Sequence, residues 1–384
     1  MSEVKGVFSM RLWRKGLAFF FAGAFLVGLW ACGGPGEEQS GGAAASTPGD
    51  TMEVTDMAGR SVAIPAGADR FACIGPGCLR LYCYVGEQSQ LAGVEDVEKT
   101  WGETGRPYAM ALEHLEELDT VGPGGPGSAP DAERLLASGA EVVFSTYAME
   151  AAEIQELQEK ISVPVVALRY GEESLFSQEV DRSLELLGQI TGREERAQEV
   201  VNYFAQAKAD LESRAAGVQD PPTVYLGCQS YQGSHGIEST TGDSPIFDAL
   251  NARNVVAEAG IQGRVTLDKE KLLELDPDIL IIDGGGLSIL QEDYETNPDY
   301  YESLSAVKQG KVYLQLPFNY YGANLEIALA DAYYIGTALY PDAFSDVDPA
   351  GKFDEICQAL LGIDAYAQIA ETYFGGYQRL ELGE

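Results

Sequence analysis

Glycines, arginines and tyrosines recur in this chain directly after apolar, β-branched runs. Gly75-Pro76-Gly77 and Arg80 follow "RFACI", Tyr147 follows "EVVFST", and Arg169-Tyr170 follow "VPVVAL". In the second half, Tyr231 and His235 follow "VYLGCQ", Gly284-Gly285-Gly286 follow "DILIID", and Asn319-Tyr320-Tyr321 follow "VYLQLPF". Open α/β sheets bind small molecules at the carboxyl ends of their strands, so these positions are the candidate ligand contacts. Glycine lets the backbone approach a ligand closely, and a following helix N-terminus offers free N–H groups to an anion. Arg169 stands out, because a cation at a strand end in an acidic chain points to an anionic ligand. Trp101 and Arg106 lie in a long polar segment and are expected to form a rim. Arg80 sits one turn beyond its glycines, where a solvated helix surface is the competing reading. Most of the 20 tyrosines are expected to be ordinary half-buried residues.

The same inventory argues against a bare transition metal. Zinc and similar ions favour several histidines with carboxylates, and only His114 and His235 exist here. His114, in "LEHLEELD", reads as a solvated position. His235, in a glycine-flanked loop, reads as a hydrogen-bond donor ahead of an axial ligand to haem iron. The spacing of Cys73, Cys78 and Cys83 fits no common zinc or iron–sulfur pattern, so these read as buried thiols. Catalytic signatures are missing: there is no Gly-x4-Gly-Lys-Ser/Thr loop, no Gly-x-Ser-x-Gly elbow and no His-Glu-x-x-His helix. The protein reads as a binder and not an enzyme.

The elements that must hold these residues alternate strand and helix, which implies parallel sheets. "MEVTDMAGRSVAIP" reads as a hairpin turning at Ala58-Gly59. Strands follow at "RFACI", "LAGVE", "EVVFST" and "VPVVAL", with helices between. A helix from Ser174 is broken by Thr191-Gly192, and a second one runs from Arg193 to Ala216 without proline or glycine. The pattern then restarts with strands at "PTVYLGCQ", "DILIID" and "KVYLQLP". "SPIFDALNARNVVAEAG" is expected to be one helix leading to a short strand, and the last forty or so residues two further helices. Boundaries follow: a first lobe over 52–192, a connecting helix over 193–217 and a second lobe over 218–384.

"DAERLLASGAEVVF", from Asp131, aligns without a gap to "DKEKLLELDPDILI", from Asp268. Each reads as an acid-capped helix, a turn and a buried strand, so the two lobes should be built alike. The N-terminus carries basic residues up to Lys15, fifteen apolar residues and then "LWAC". Such a run is short of the ~20 residues of a membrane span but suits a signal peptide, here residues 1–31. Residues 32–51 are a Gly/Ser/Ala-rich tether. The chain bears a formal charge of −35, and −38 without its leader. So acidic a surface repels phosphate backbones and excludes nucleic acid as a partner.

With "DMAGRSVAIP", "IGPGCLRL", the paired Asp-x-Glu helices, "NLEIALADAYYIGTALYPD" and "ICQALLGIDAY" in this order, the mature chain resembles the substrate-binding lipoproteins of iron-siderophore, haem and cobalamin ABC importers. That resemblance implies two Rossmann-like α/β lobes with mainly parallel sheets, joined by a single long rigid helix. It implies a monomer that has no cofactor and carries a metal chelate, such as ferric siderophore or haem, in the interlobe cleft. Cobalamin, molybdate or tungstate are the alternative cargoes, and a chelate-processing enzyme of the same fold the alternative class. It also implies that Glu133 and Glu270 contact a permease dimer with its ATPase subunits. "LWAC" resembles a lipobox, which implies lipidation at Cys32 and an extracytoplasmic, membrane-anchored protein. The Cys32→Ser variant is expected to move from the membrane to the soluble fraction. Full membrane retention of this variant with a cleaved leader overturns the anchor.

Overall fold

The computed structural model describes residues 51–171 and 174–382. The expected leader, Cys32 and all of the tether except Thr51 lie outside the described residues. The first element is the expected hairpin, β1 (Thr51–Thr55) against β2 (Ser61–Pro65). Its alternation buries Val54, Val62 and Ile64 on one face. Asp56 accepts the Ala58 and Arg60 amides at 3.0 and 2.9 Å, and Gly59 supplies the left-handed residue of the turn (φ 77°).

A parallel sheet then forms from β3 (Phe71–Ile74), β4 (Leu91–Val94), β5 (Asp119–Thr120), β6 (Val142–Ser145) and β7 (Val165–Ala167). Its order is β5-β4-β3-β6-β7. The second half contributes β8 (Thr223–Gly227), β9 (Ser239–Thr241), β10 (Arg253–Asn254), β11 (Arg264–Thr266), β12 (Ile279–Asp283), β13 (Val312–Gln315) and β14 (Gln378–Arg379). Five of these form a sheet in the order β10-β8-β12-β13-β14, parallel except for β14, while β9 and β11 pair antiparallel beside it. Strand order reverses next to β3 in the first sheet and next to β8 in the second, so each lobe has one crevice at its strand ends.

Between the sheets runs the helix Glu194–Ala215, 22 residues and about 33 Å at 1.5 Å per residue. The helix before it, Gln178–Thr191, stops at Gly192, whose φ of 69° is left-handed. Ala197, Val200, Phe204, Ala207, Leu211 and Ala215 are buried along one stripe of the connecting helix. They enter a core that is continuous from Phe71 and Leu184 to Ile246, Ile281 and the buried helix Leu325–Leu339. Smaller clusters cover the far face of each sheet. The lobes therefore share a core as well as a helix.

The internal repeat is structural. Helices Ala132–Ala137 and Lys269–Leu275 each precede a central strand, β6 and β12. Asp131 caps its helix by accepting the Glu133 and Arg134 amides at 3.1 Å, whereas Asp268 holds the same place without a side-chain cap. The matched acids at the strand starts do the same work in both lobes. Glu141 accepts the Asp69 amide and Asp278 the Thr223 amide, both at 2.9 Å, pinning the chain where β3 and β8 begin.

Two expectations need correction. The single helix expected over "SPIFDALNARNVVAEAG" is split into Pro245–Ala249, β10 and Val255–Glu258. Asn251 turns left-handed (φ 46°), and the Asn254 amide donates to Thr241 and Gly242 while accepting from Val256, a local bonding pattern that competes with the helix. The C-terminal stretch is not all helix: after Pro349–Leu361 and Tyr366–Thr372 it ends in β14, on the edge of β13.

A proline- and glycine-free helix resists bending, and a shared core resists separation. Cargo is expected to rotate the lobes by only a few degrees, with ordering of loops near Tyr231 and Asn319. Spin-label distances across the lobes with and without cargo measure this, and a wide closure contradicts it.

Candidate ligand-binding site

Many of the residues singled out from sequence meet at a seam between the lobes, and there they bind one another. Arg80, fully buried, donates through Nε to Asn324 Oδ1 at 3.0 Å and through its two Nη groups to the carbonyls of Ala323 and Tyr320, both at 2.9 Å. It also reaches the Tyr170 hydroxyl at 3.2 Å and lies 4.5 Å from the centre of the Tyr108 ring. Burial works against its charge, but Tyr170, Tyr108 and Glu326 hold it protonated. It is a bolt inside the protein and not a surface side chain.

Beside it, the buried Glu95 carboxylate collects three donors. The hydroxyls of Tyr147 and Tyr321 reach it at 2.5 and 2.6 Å, and the Gly75 amide at 2.9 Å. Tyr321 belongs to the second lobe, so this hydrogen bond crosses the seam. Its hydroxyl also accepts from the Gly125 amide at 3.1 Å. Tyr170 donates to the Gly77 carbonyl at 2.9 Å. Exposed Trp101 meets Tyr320 and Tyr321 edge-on, with centroids 5.8 and 5.5 Å apart, and Tyr320 donates to the Trp101 carbonyl at 3.3 Å. Pro76 is exposed at this edge, and its carbonyl accepts from Thr146.

The remaining candidates fall elsewhere. Arg169, half-buried, donates to the carbonyls of Tyr147 and Met149 at 3.2 and 3.1 Å and so ties the end of β7 to the loop after β6. Arg106 is not on a rim: it is fully buried against Glu98 at 2.5 Å, where the carboxylate, the Tyr108 hydroxyl and the carbonyls of Glu98 and Gly102 accept its donors. His235 is exposed, with its Nε2 2.8 Å from the Tyr231 carbonyl. His114 is exposed beside Glu117 at 3.3 Å. Gly284, Gly285 and Gly286 serve packing, because a side chain would strike the Gln315 carbonyl, the Ser230 hydroxyl and the His235 carbonyl respectively. Next to them Asp283, at the end of β12, accepts the Ser230 and Gly285 amides at 3.0 and 2.8 Å. Cys73 and Cys78 are buried thiols, whereas Cys83, expected to be buried with them, is only half-buried; Cys228 is buried, and burial pushes Cys73 and Cys228 upward in pKa.

Open space lies next to the seam. A pocket of ≈430 Å³ sits at the carboxyl ends of β8 and β13, within the range of about 300–1,000 Å³ usual for small-molecule sites. Leu226, Ile246, Phe247, Phe318, Ala328 and Ile335 form its apolar walls, and Ser174 and Leu175 of the first lobe close one side. Its polar lining includes Gln229, Gln315 and Asn319. Gln229 Oε1, both polar atoms of Gln315 and Asn319 Nδ2 are buried without a hydrogen-bond partner. An unpaired buried polar atom costs ~1–3 kcal/mol, and these have almost no accessible surface, so they lie behind the pocket wall and not at its opening. Arg264 also lines the pocket, with its guanidinium 4.1 Å from the Tyr231 ring centre.

Of the candidates read from sequence, Asn319 lines this pocket, and Tyr231 reaches it by supporting Arg264. Glu95, Gln229, Gln315 and Arg264 were not anticipated. Gln315 carried a usable signal: it is a polar residue closing an otherwise apolar strand, "KVYLQLP".

Two lobes with parallel sheets, one connecting helix and a polar-lined pocket at the strand ends define a bilobed α/β binding protein. The chain belongs to the periplasmic binding protein family, whose profile matches residues 84–317. It is 19% identical over 333 residues, 86% of this chain and 97% of the other, to YvrC of Bacillus subtilis, an uncharacterized ABC transporter substrate-binding lipoprotein. In fold it is similar to a periplasmic solute binding protein from Veillonella parvula, with TM-score 0.67, 18% identity, and coverage of 84% of this chain and 96% of that one. It is likewise similar to the molybdate periplasmic binding protein MolA of Haemophilus influenzae, bound to molybdate, with TM-score 0.62, 22% identity, and coverage of 82% and 98%.

The buried carboxylates give the site a pH signature. Burial pushes Glu95, Glu98, Glu326 and Asp331 above the usual carboxylate range, and Asp283 up to about 6. A raised folded-state pKa means that the folded protein holds the proton more tightly than the unfolded chain. That stability is fully present below the unfolded value near 4 and is lost as pH rises through the folded value. Asp278, Asp346 and half-buried Asp293 act oppositely, lowered by the Thr223 amide, by Arg214 and, against its burial, by Lys269 and Tyr301, but they are fewer than the raised group. The melting temperature is expected to be several degrees higher at pH 5 than at pH 7.5, with a smaller difference in Asp283→Asn. Calorimetry at the two pH values checks it, and a lower melting temperature at pH 5 refutes it.

Proposed function

We propose that this protein is the extracytoplasmic receptor of an ABC importer, tethered to the membrane by lipid at Cys32. It captures a metal chelate between its lobes as a monomer, without a cofactor, and hands it to the permease dimer that the ATPase subunits drive. An iron chelate, ferric siderophore or haem, is the first reading of the cargo. An oxyanion is the second, favoured by the molybdate in the MolA structure. The observation that carries the proposal is the pocket at the second lobe's strand ends, closed by first-lobe residues and lined by apolar and polar side chains.

The delivery half rests on symmetry. Glu133 and Glu270 are both exposed in the first turns of the repeated helices. Three residues on, Leu136 and Leu273 are exposed at 60% and 37%, again at matching places. One charged and one apolar contact per lobe suit a partner with two like subunits.

Reversing both charges, Glu133→Lys with Glu270→Lys, is expected to abolish uptake in cells. Cargo affinity should stay within about twofold, because docking surface and pocket are separate. Uptake unchanged in the double variant refutes the delivery role, and lost cargo binding places these helices at the pocket.

A further inference from the structure

We propose that Glu95 and Tyr321 form a proton-operated latch between the lobes. With Glu95 protonated the latch holds, and with Glu95 ionised the Tyr321 side chain swings out and the first-lobe crevice opens. The latch itself is the hydrogen bond from the Tyr321 hydroxyl to Glu95 Oε2, at 2.6 Å, which joins the second-lobe loop after β13 to the end of first-lobe β4. The Gly75 amide also donates to Oε2, at 2.9 Å, whereas the Tyr147 hydroxyl meets Oε1, at 2.5 Å. A proton on Oε1 is given to the Tyr147 oxygen, which leaves Oε2 free to accept from Gly75 and Tyr321. The protonated carboxyl therefore keeps all three contacts.

The ionised form is poorly served. Glu95 is 2% exposed, and its three donors are all neutral. The two buried arginines of the seam are spent elsewhere, Arg80 on Asn324 and the Tyr320 and Ala323 carbonyls, Arg106 on Glu98. Glu98, in the helix Asp96–Thr100 after β4, adds a like charge, and Gly124 packs on the Glu95 side chain without contributing any. A buried carboxylate among neutral donors is costly, and water entering behind Tyr321 relieves the cost. Burial accordingly holds the Glu95 carboxyl above the usual carboxylate range. An opened crevice hydrates Glu95 and returns it towards that range, so the latched state binds the proton more tightly. Acid therefore closes the latch, and rising pH releases it. Tyr321 is also loaded for release. Its φ of 47° is left-handed, a strained conformation for an aromatic residue, and Gly322 follows at 87°. Such strain persists where surrounding bonds enforce it, and it gathers at switches. Arg80 fixes the carbonyls on either side, at Tyr320 and Ala323, so release moves the tyrosine and not the whole loop.

Trp101 reads the latch. Its ring meets that of Tyr321 at 5.5 Å, and it is the only tryptophan beyond residue 31. The test follows acrylamide quenching of its fluorescence in the purified mature chain from about pH 5 to about pH 8.5. Quenching is expected to rise about twofold, through a one-proton transition above the usual carboxylate range. Glu95→Gln keeps a neutral acceptor and should quench weakly at every pH, while Tyr321→Phe should quench strongly at every pH. Tyr147→Phe removes a donor to the carboxylate but leaves the cross-lobe bond, so its transition should move to higher pH. Where Glu95→Gln fails to give a cooperative melt, the direction of the Tyr147→Phe shift decides. Quenching that is flat with pH in the parent chain, or that falls as pH rises, overturns the latch. So does a transition that survives in Glu95→Gln or stays unmoved in Tyr147→Phe.

Discussion

The polar seam between the lobes is arranged around one buried guanidinium, Arg80. Arg80 leaves a first-lobe helix and donates to the Asn324 side-chain oxygen and to three carbonyls of the loop at 320–323, 244 residues away in sequence at its furthest partner. A guanidinium has five N–H donors in a fixed plane, so it dictates the loop's path instead of following it. Removing it would strand several buried acceptors at once, which is the most destabilising way to lose a hydrogen-bonded charge. The position of Tyr321 above Glu95, and of Tyr320 beside Trp101, follows from that path.

Around this bolt the lobes repeat one plan with different fillings. In each, an acid pins the start of the first strand: Glu141 for β3, Asp278 for β8. In each, a buried carboxylate gathers backbone amides at the crevice where strand order reverses: Glu95 with Gly75, Asp283 with Ser230 and Gly285. The first crevice is then sealed by tyrosines from both sides. The second opens into the pocket, where carboxamides take the place of tyrosines. Near-symmetry of scaffold thus coexists with asymmetry of site, as expected when strand ends position a ligand and side chains choose it.

Legibility from sequence divided along physical lines. Apolar, β-branched runs located β3, β6, β8, β12 and β13, because burial on both faces leaves few other uses for such runs. The helices Ala132–Ala137 and Lys269–Leu275 were visible as a repeat. Arg80 was misjudged because one turn of helix cannot reveal a partner loop far along the chain. Arg106 looked like a rim residue in a polar segment, yet Glu98 eight residues earlier gave it a buried mate. Glu95, Gln229 and Gln315 escaped notice for a related reason. A lone polar residue after a strand has no distinguishing pattern until the fold shows whether anything answers its hydrogen bonds.

The edge strand β14 bears on how the chain completes itself. It pairs Gln378 and Arg379 with β13, and neighbouring Tyr377 donates to buried Asp331 at 2.8 Å. Until residues 377–379 are in place, β13 presents an open row of amides and carbonyls, and Asp331 lacks this donor. An open edge invites pairing with a neighbouring chain. The second lobe therefore stays adhesive until its last strand has emerged, so its assembly favours whole chains over truncated ones. A C-terminal truncation reaching this strand trades a folding intermediate for an aggregation seed.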